Sequence, residues 1–265
     1  MATNDEAVMH RVLKKVLVAS ANFDLQETPP AMAQTIHRIV REETGVVDPY
    51  AEIKAESTRV ALELAKTATQ MLTSAVDPFG LAVRFSIAGN IMDFALTSKW
   101  DSMNLETFLQ EAAEKKLDES ELEDLRRSVE KAESILLIGD NAGEAVFDRL
   151  LMEQVPNKKW VYAVKSSPII NDATMKEAKE SGIDSVATLI ENGNDAPGTI
   201  LSICSEEFLQ IFNQADLVIA KGQANYETLS DAPRDLFFLT QIKCFVIAKD
   251  LGKPLKSWVV QQHKI

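Results

Sequence analysis

Two acidic side chains and one amide side chain follow the first two predicted strands of the chain. Asp140 and Asn141 come directly after the apolar run 135–138, and Asp172 follows the apolar run 160–164 and a turn. Neighbouring parallel strands lie about 5 Å apart, so these groups can converge on one point. Oxygen ligands without Cys or His suit a hard divalent cation such as Mg²⁺ or Mn²⁺. Either aspartate alone could simply cap a helix, but the set of three favours a shared metal site.

Two lysines are placed to neutralise a phosphoryl group. Lys221 directly follows the predicted strand 216–220, and Lys243 precedes another apolar stretch. An ammonium group at a strand end can stabilise charge during phosphoryl transfer, although most lysines are solvated surface residues. Asn90 and Asp93 lie three residues apart in a very apolar predicted helix. They share one face of it, which indicates either a polar cleft or a satisfied structural network.

Several other site chemistries are excluded by residue type and spacing. The three histidines, His10, His37 and His263, show no close spacing, which argues against a zinc hydrolase and a Ser-His-Asp triad. The GxxxxGK[ST] phosphate loop and the GxGxxG dinucleotide motif are both absent. Cys204 and Cys244 are the only cysteines. Two thiols in apolar surroundings indicate a reducing compartment rather than a disulfide framework.

The composition limits the classes of partner. The chain has 265 residues and a formal net charge of −12, which argues against a nucleic-acid partner. No apolar run approaches the roughly 18 residues of a membrane span, and residues 1–6 do not look like a signal peptide. We therefore expect a cytoplasmic protein with a small-molecule substrate, without a nucleic-acid or membrane partner. The oligomeric state is undetermined.

The pattern of apolar residues divides the chain into two parts. Residues 1–132 show helical periodicity throughout, and residues 133–265 alternate short apolar strands with helices. This alternation is typical of an α/β domain with a mostly parallel sheet and right-handed crossovers. Residues 236–239 and 245–248 are both predicted to be extended. The expected organisation is a helical subdomain, 1–132, followed by an α/β domain, 133–265, that carries the metal site.

Several motifs in order resemble one protein family. They are G-D-N-A-G-E at 139–144, P-I-I-N-D-A-T at 168–174, N-D-A-P-G-T at 194–199 and K-G-Q-A-N-Y-E-T-L at 221–229. D-P-Y at 48–50 and A-G-N-I-M-D-F at 88–94 match its helical part. Over roughly residues 45–250 the chain resembles the metal-dependent damage-control phosphatases, formerly domain of unknown function 89, in their compact prokaryotic branch. The resemblance implies a Rossmann-like three-layer α/β/α domain preceded by an all-helical subdomain.

The resemblance also implies an activity and roles for individual residues. The activity is hydrolysis of small phosphorylated metabolites, sugar phosphates among them, with Mg²⁺, Mn²⁺, Co²⁺ or Ni²⁺. The implied metal ligands are Asp140, Asn141 and Asp172, and Lys243 corresponds to a lysine that contacts the substrate phosphate. The residues expected at the substrate, taken from these motifs and the loop after the second strand, are Lys221, Asn225, Glu144, Ser167, Asn90 and Asp93.

Two departures from the family pattern affect what can be carried over. Many prokaryotic relatives have a Cys-x-x-Cys near the N-terminus, which this chain lacks. The sequence K-S-S-P at 165–168 replaces a more glycine-rich turn that borders the substrate, so the specificity does not follow from the resemblance.

The leading hypothesis is a metal-dependent phosphomonoesterase in which Asp140 and Lys243 are catalytic. The nucleophile is either water or the carboxylate of Asp140. Ala142 stands at the position where a D-x-D nucleophile motif has its second aspartate, and this absence favours water. A methyltransferase using S-adenosylmethionine is the first alternative, although the turn after the first strand is not glycine-rich. A non-catalytic metabolite-binding module is the second.

Overall fold

The computed structural model describes residues 2–95 and 102–265, with side chains described at 2–90 and 107–265. The described residues form eleven α-helices and a sheet of six strands. The helices are α1 Glu6–Ser20, α2 Pro29–Thr44, α3 Ala51–Ser74, α4 Pro78–Ala95, α5 Ser102–Glu114, α6 Glu119–Lys131, α7 Glu144–Glu153, α8 Met175–Glu180, α9 Glu206–Gln214, α10 Gly222–Leu229 and α11 Phe245–Asp250. None of these described helices is long and apolar enough to cross a membrane.

The sheet is parallel except at one edge. Its strands are β1 Ser134–Ile138, β2 Lys159–Val164, β3 Thr188–Glu191, β4 Leu217–Lys221, β5 Leu236–Gln241 and β6 Trp258–His263. They lie in the order β3-β2-β1-β4-β5-β6, and only β6 pairs antiparallel with its neighbour. This order is that of a doubly wound α/β fold. The predicted Rossmann-like α/β architecture is confirmed.

Both faces of the sheet are buried, and alternate residues of each strand point to opposite layers. Ile135 and Leu137 of β1 belong to an apolar core shared with α3, α4, α6 and α7. Leu136 and Ile138 belong to a second core that α9, α10 and α11 complete. A strand covered on both faces is continuously apolar, which explains the sequence of β1. The helical part of the chain thus contributes one layer of the sandwich, while its separation at residue 132 as a subdomain stays a prediction.

Aspartate side chains cap the starts of two helices. Asp118 accepts hydrogen bonds from the backbone N–H groups of Ser120 and Glu121 at the start of α6, and Asp77 accepts one from Gly80 at the start of α4. These bonds satisfy donors that a helix N-terminus leaves unpaired.

The C-terminal region differs from the prediction. Residues 245–248 were expected to be extended, but they lie in helix α11. Phe245 and Val246 are 79% and 74% exposed, and only Ile247 of this helix is buried. The apolar run therefore does not indicate a buried strand. The last strand is β6 instead, which pairs with β5 from Trp258 opposite Gln241 to His263 opposite Leu236.

Helix α2 is tied to loops at the carboxyl end of the sheet. Asp195 accepts hydrogen bonds from Gln34 at 2.7 Å and from Arg38 and Arg41 at 2.5 Å each. Arg41 also donates to the carbonyl of Pro168 at 3.0 Å. The N-terminal helices are thus fixed beside the motif at 194–199 and the loop after β2.

Candidate active site

The candidate site lies where the winding of the sheet reverses. From β1 the chain proceeds outward through β2 and β3, and then returns to the other side of β1 with β4 and β5. The loops at the carboxyl ends of β1 and β4 border this switch point, which is where the ligand-binding crevice of such a sheet is expected. In open α/β sheets ligands bind at this point.

The three predicted metal ligands meet at this crevice. Asn141 and Asp172 pair as an isolated antiparallel bridge, and the N–H of Ala173 donates to the carbonyl of Asp140 at 2.7 Å. The loop after β2 is thereby laid against the turn after β1. All three residues are buried: Asp140 is 7%, Asn141 5% and Asp172 3% exposed.

The donor set fits a hard cation. It consists of two carboxylates and one carboxamide, which are oxygen donors of the kind that Mg²⁺ and Mn²⁺ prefer. Among the residues with described side chains, no group of three or more His, Cys, Asp and Glu is arranged to hold a metal. The trio has only two acidic members, and its third donor is an asparagine. A metal site at these residues therefore stays a prediction.

Gly222 makes the close approach of β4 to Asp140 feasible. Its φ is +76°, a left-handed conformation, and a Cβ built on it would lie 1.8 Å from Oδ2 of Asp140 and 3.0 Å from Nδ2 of Asn90. Only glycine has no side chain to collide there and adopts this φ at little cost.

We expect Gly222→Ala to displace Asp140 and so to abolish most activity. The added methyl group overlaps the carboxylate, and the positive φ alone costs about 1–2 kcal/mol for alanine. Phosphate release and unfolding by urea would measure the two effects. Gly252→Ala is the matched control, because Gly252 has a φ of +62° with no atom within 4 Å of the added Cβ. Equal loss of activity in both variants would contradict the steric explanation.

Asn90 connects the helical layer to the site. Its Nδ2 donates to Oδ2 of Asp140 at 2.7 Å and to Oε2 of Glu144 at 3.0 Å. Its Oδ1 accepts from Nζ of Lys243 at 2.8 Å. The side chain of Asn90 thus lies between a cationic and an anionic group, and all its polar atoms are used. Of the two hypotheses for this helix face, the contacts of Asn90 fit the satisfied polar network, which here includes Asp140.

Lys243 is the exposed cation at the rim of the crevice. Its backbone N–H donates to Oε1 of Gln223 at 3.0 Å, which fixes the main chain, while its Nζ reaches Asn90. The residue as a whole is exposed. An ammonium group held near Asp140 on a residue that is exposed overall is suited to contact an incoming anion.

Lys221 has a different environment from Lys243. It is 0% exposed, and its Nζ donates to Ser86 Oγ at 2.7 Å, to Asp148 Oδ1 at 2.9 Å and to Glu144 Oε1. Tyr162 donates from its hydroxyl to the other oxygen of Asp148 at 3.0 Å. The ammonium group is enclosed by these internal partners, which fits a support for the site, and the substrate contact of Lys221 stays a prediction.

Burial and charge shift the pKa values of this buried cluster. Burial raises the pKa of Glu144, and the carboxylates of Asp148 and Asp140 raise it further against the opposing charge of Lys221. Burial alone would lower the pKa of Lys221, but Asp148 and Glu144 raise it overall. The neighbouring carboxyl groups thus favour the charged form of Lys221.

The remaining predicted substrate contacts are placed as follows. Asn225 is 0% exposed, donates to the carbonyls of Lys221 and Gly139 at 2.7 and 3.3 Å, and accepts from Thr199 at 2.8 Å. It therefore joins the ends of β4 and β1. Ser167 is exposed on the loop after β2. Asp93 lies outside the residues whose side chains are described.

Two buried groups near the site were not predicted. Lys165, at the end of β2, is 1% exposed, donates to the carbonyl of Gly198 and lies 3.6 Å from Oδ2 of Asp172. Asp148 belongs to the Lys221 cluster described above. Both could have been recognised: Lys165 directly follows a buried strand, as Lys221 does, and Asp148 stands four residues after Glu144 on one face of α7.

A cleft of about 600 Å³ opens beside Lys243, between α10 and α11. Glu227 and Cys244 line it. Gln223 donates to Glu227 at 2.8 Å and accepts from the backbone of Lys243, so it connects the cleft to the site. Burial, and to a smaller degree the charge of Asp140, raise the pKa of Glu227.

Comparison with known proteins identifies related sequences and structures. Residues 1–259 match the model of the damage-control phosphatase ARMT1-like domain. A damage-control phosphatase of Archaeoglobus fulgidus is 33% identical, over 95% of this chain and 89% of its own length. Damage-control phosphatase PH1575 of Pyrococcus horikoshii is also 33% identical, over 100% and 92%. A crystal structure of a DUF89 family protein from Pyrococcus horikoshii superposes with a TM-score of 0.91 at 32% identity, covering 99% of this chain and 92% of the other.

Proposed function

Because the chain belongs to the damage-control phosphatase ARMT1-like domain family, we propose that it is a metal-dependent phosphatase that hydrolyses phosphate monoesters of small metabolites, such as sugar phosphates. The names of its relatives support a phosphatase role. The observation that carries the proposal is the meeting of Asp140, Asn141 and Asp172 at the reversal point of the sheet, with Lys243 at the rim.

Asp140, Asn141 and Asp172 are the residues that would hold the divalent cation, Mg²⁺, Mn²⁺, Co²⁺ or Ni²⁺. Such a cation, when bound, polarises a phosphoryl group and neutralises part of its charge. The carboxylates of this region outnumber its cations, and a divalent cation would compensate the excess. Asn90 keeps Asp140 in place, since it donates to Oδ2 of that carboxylate.

Lys243 would bind and orient the phosphate. Its ammonium group can leave Asn90 for a phosphate oxygen, because an anion at the rim is a stronger partner for it than a neutral amide. The leaving group of the substrate would extend into the adjacent cleft, towards Glu227. The carboxylate of Glu227 can accept hydrogen bonds from the hydroxyl groups of a sugar. The same carboxylate disfavours leaving groups that carry a second negative charge.

We expect Lys243→Met to raise KM and to lower kcat/KM by about 10²-fold, because one cationic contact to the phosphoryl group is removed. Steady-state kinetics with one phosphomonoester would measure the change. Lys249→Met is the control, since Lys249 lines the same cleft on α11 but has no bond to Asn90 among the described contacts. An unchanged kcat/KM in Lys243→Met would exclude Lys243 from the site.

The activity itself can be tested by phosphate release from chelator-stripped protein. The substrates are a panel of sugar phosphates and p-nitrophenyl phosphate, each with added Mg²⁺, Mn²⁺, Co²⁺ or Ni²⁺. We expect release that depends on the cation and is lost in Asp172→Ala. No release with any cation, from protein with an intact fold by circular dichroism, would contradict the proposal and favour a cofactor-binding or metabolite-binding role.

A further inference from the structure

A buried lysine far along the chain from the predicted ligands is joined to the loop that carries Asp172. Lys54 of α3 is 1% exposed, and its Nζ lies 2.6 Å from Oδ2 of Asp48 and 3.2 Å from Oε1 of Glu177. Lysine is rarely buried to this extent, and a buried ion pair contributes little net stability. The position of this ion triad, rather than its contribution to folding, therefore needs an explanation.

Glu177 connects the triad to the loop between β2 and α8, residues 165–174, which carries Asp172 and is called the Asp172 loop below. Its second oxygen, Oε2, accepts from the backbone N–H of Thr174 at 3.0 Å and from the hydroxyl of Thr174 at 2.5 Å. Thr174 stands two residues after Asp172, at the start of α8. One carboxylate thus bridges a cation on the helical layer and the end of the loop.

The Asp172 loop contains one residue whose backbone conformation its residue type disfavours. Ile170 has a φ of +44°, in the left-handed region that β-branched residues avoid. Such a conformation persists only where the surroundings impose it. On the sheet side, the loop is held by Ala142 N–H to the carbonyl of Asn171 at 2.9 Å and by Ala173 N–H to that of Asp140 at 2.7 Å. On the helical side, Thr174 and Glu177 hold it.

We propose that Lys54 is a positioning residue for the cation site, and that the ion triad Asp48–Lys54–Glu177 fixes Asp172 relative to Asp140 and Asn141. The inference rests on the proposed function, since it assumes that these three residues bind a divalent cation. Lys54 neither contacts the substrate nor the cation. It acts through Glu177 and Thr174, and hence through the strained loop.

The test is titration of chelator-stripped protein with Mn²⁺ by calorimetry, for the unaltered chain and for Lys54→Met. Methionine keeps most of the side-chain volume and removes the charge. We expect the dissociation constant for Mn²⁺ to rise at least about tenfold, as is usual when the groups that orient a metal ligand are lost. Phosphatase activity at saturating Mn²⁺ should recover towards the unaltered value, because the reacting groups are intact.

Loss of stability has to be separated from loss of positioning. Leu125→Ala is the matched control. Leu125 is fully buried on helix α6, which packs on the edge strand β6. It should lower the unfolding temperature without changing the Mn²⁺ affinity. If Lys54→Met does not fold, Thr174→Val removes the hydroxyl link to the Glu177 carboxylate together with the capping bond that the hydroxyl accepts from the backbone of α8, and it should weaken Mn²⁺ binding about threefold or more.

The outcomes separate the two proposals. Unchanged Mn²⁺ affinity in folded Lys54→Met, or in Thr174→Val where the first variant does not fold, overturns the positioning role and leaves the phosphatase proposal intact. An equal loss of affinity in Leu125→Ala also overturns it, because the effect would then follow global stability. Absence of cation binding by the unaltered chain overturns both.

Discussion

Asp140→Asn is expected to lower kcat by about 10³-fold while leaving the protein folded. Asp140 is the predicted ligand that also anchors the network through Asn90, at 2.7 Å. Asparagine is nearly isosteric, and its side-chain oxygen can still accept that hydrogen bond, but it lacks the negative charge that a divalent cation requires. The Mn²⁺ affinity should therefore fall together with kcat.

The stability of Asp140→Asn should be unchanged or slightly higher in the absence of a metal. The charge of Asp140 contributes to the raised pKa of Glu144, and the substitution removes this unfavourable interaction between neighbouring carboxyl groups. Urea unfolding of chelator-treated protein would measure it. Asp184→Asn is the control, because Asp184 is an exposed carboxylate on a short 3₁₀ turn. Normal turnover in folded Asp140→Asn would refute the assignment of the site.

Lys221→Met is expected to lower the free energy of unfolding by about 3–5 kcal/mol, because it leaves two buried carboxylates without their cation. Glu144 and Asp148 are both 0% exposed and both bond to the ammonium group of Lys221. The loss of activity should follow from the loss of structure. Urea unfolding followed by circular dichroism gives the stability, and phosphate release in the absence of urea gives the activity.

Two further variants test this explanation. Lys176→Met, on the exposed face of α8, should change the free energy of unfolding by less than about 0.5 kcal/mol, since its pairing with Glu180 is solvent-exposed. The double variant Lys221→Met with Asp148→Asn should regain part of the stability, because it removes one of the unpaired charges. A stable but inactive Lys221→Met would instead show that Lys221 contacts the substrate, as the sequence motif suggested.

The two lysines at the site show where sequence information ends. Lys221 and Lys243 both stand beside apolar runs, and the sequence predicted the same kind of role for both. The fold separates them, since Lys221 lies at the end of the central strand β4 beneath helices α4 and α7, whereas Lys243 lies on the loop after β5. Burial, which depends on what packs over a residue, distinguishes the enclosed Lys221 from the exposed Lys243.

The sequence by itself determined the strand–helix alternation, the buried character of the central strands and the three oxygen-bearing residues at the strand ends. These follow from local periodicity and from residue type, which each segment carries alone. The sequence did not determine α11, because its apolar residues 245 and 246 are exposed. Nor did the sequence reading pick out the buried pairing of Lys54 with Glu177, or the positions of Asp148 and Lys165 beside the predicted site residues.

Several of the buried pairs join segments that are far apart in the chain. Lys54 meets Glu177 across more than a hundred residues, and Ser86 meets Lys221 across 135. These two pairs depend on how the helical layer packs on the sheet, and a single sequence carries no local signal for such long-range pairing. The residue types at the site were therefore set by the sequence, while their partners, burial and charge state were decided by the tertiary structure.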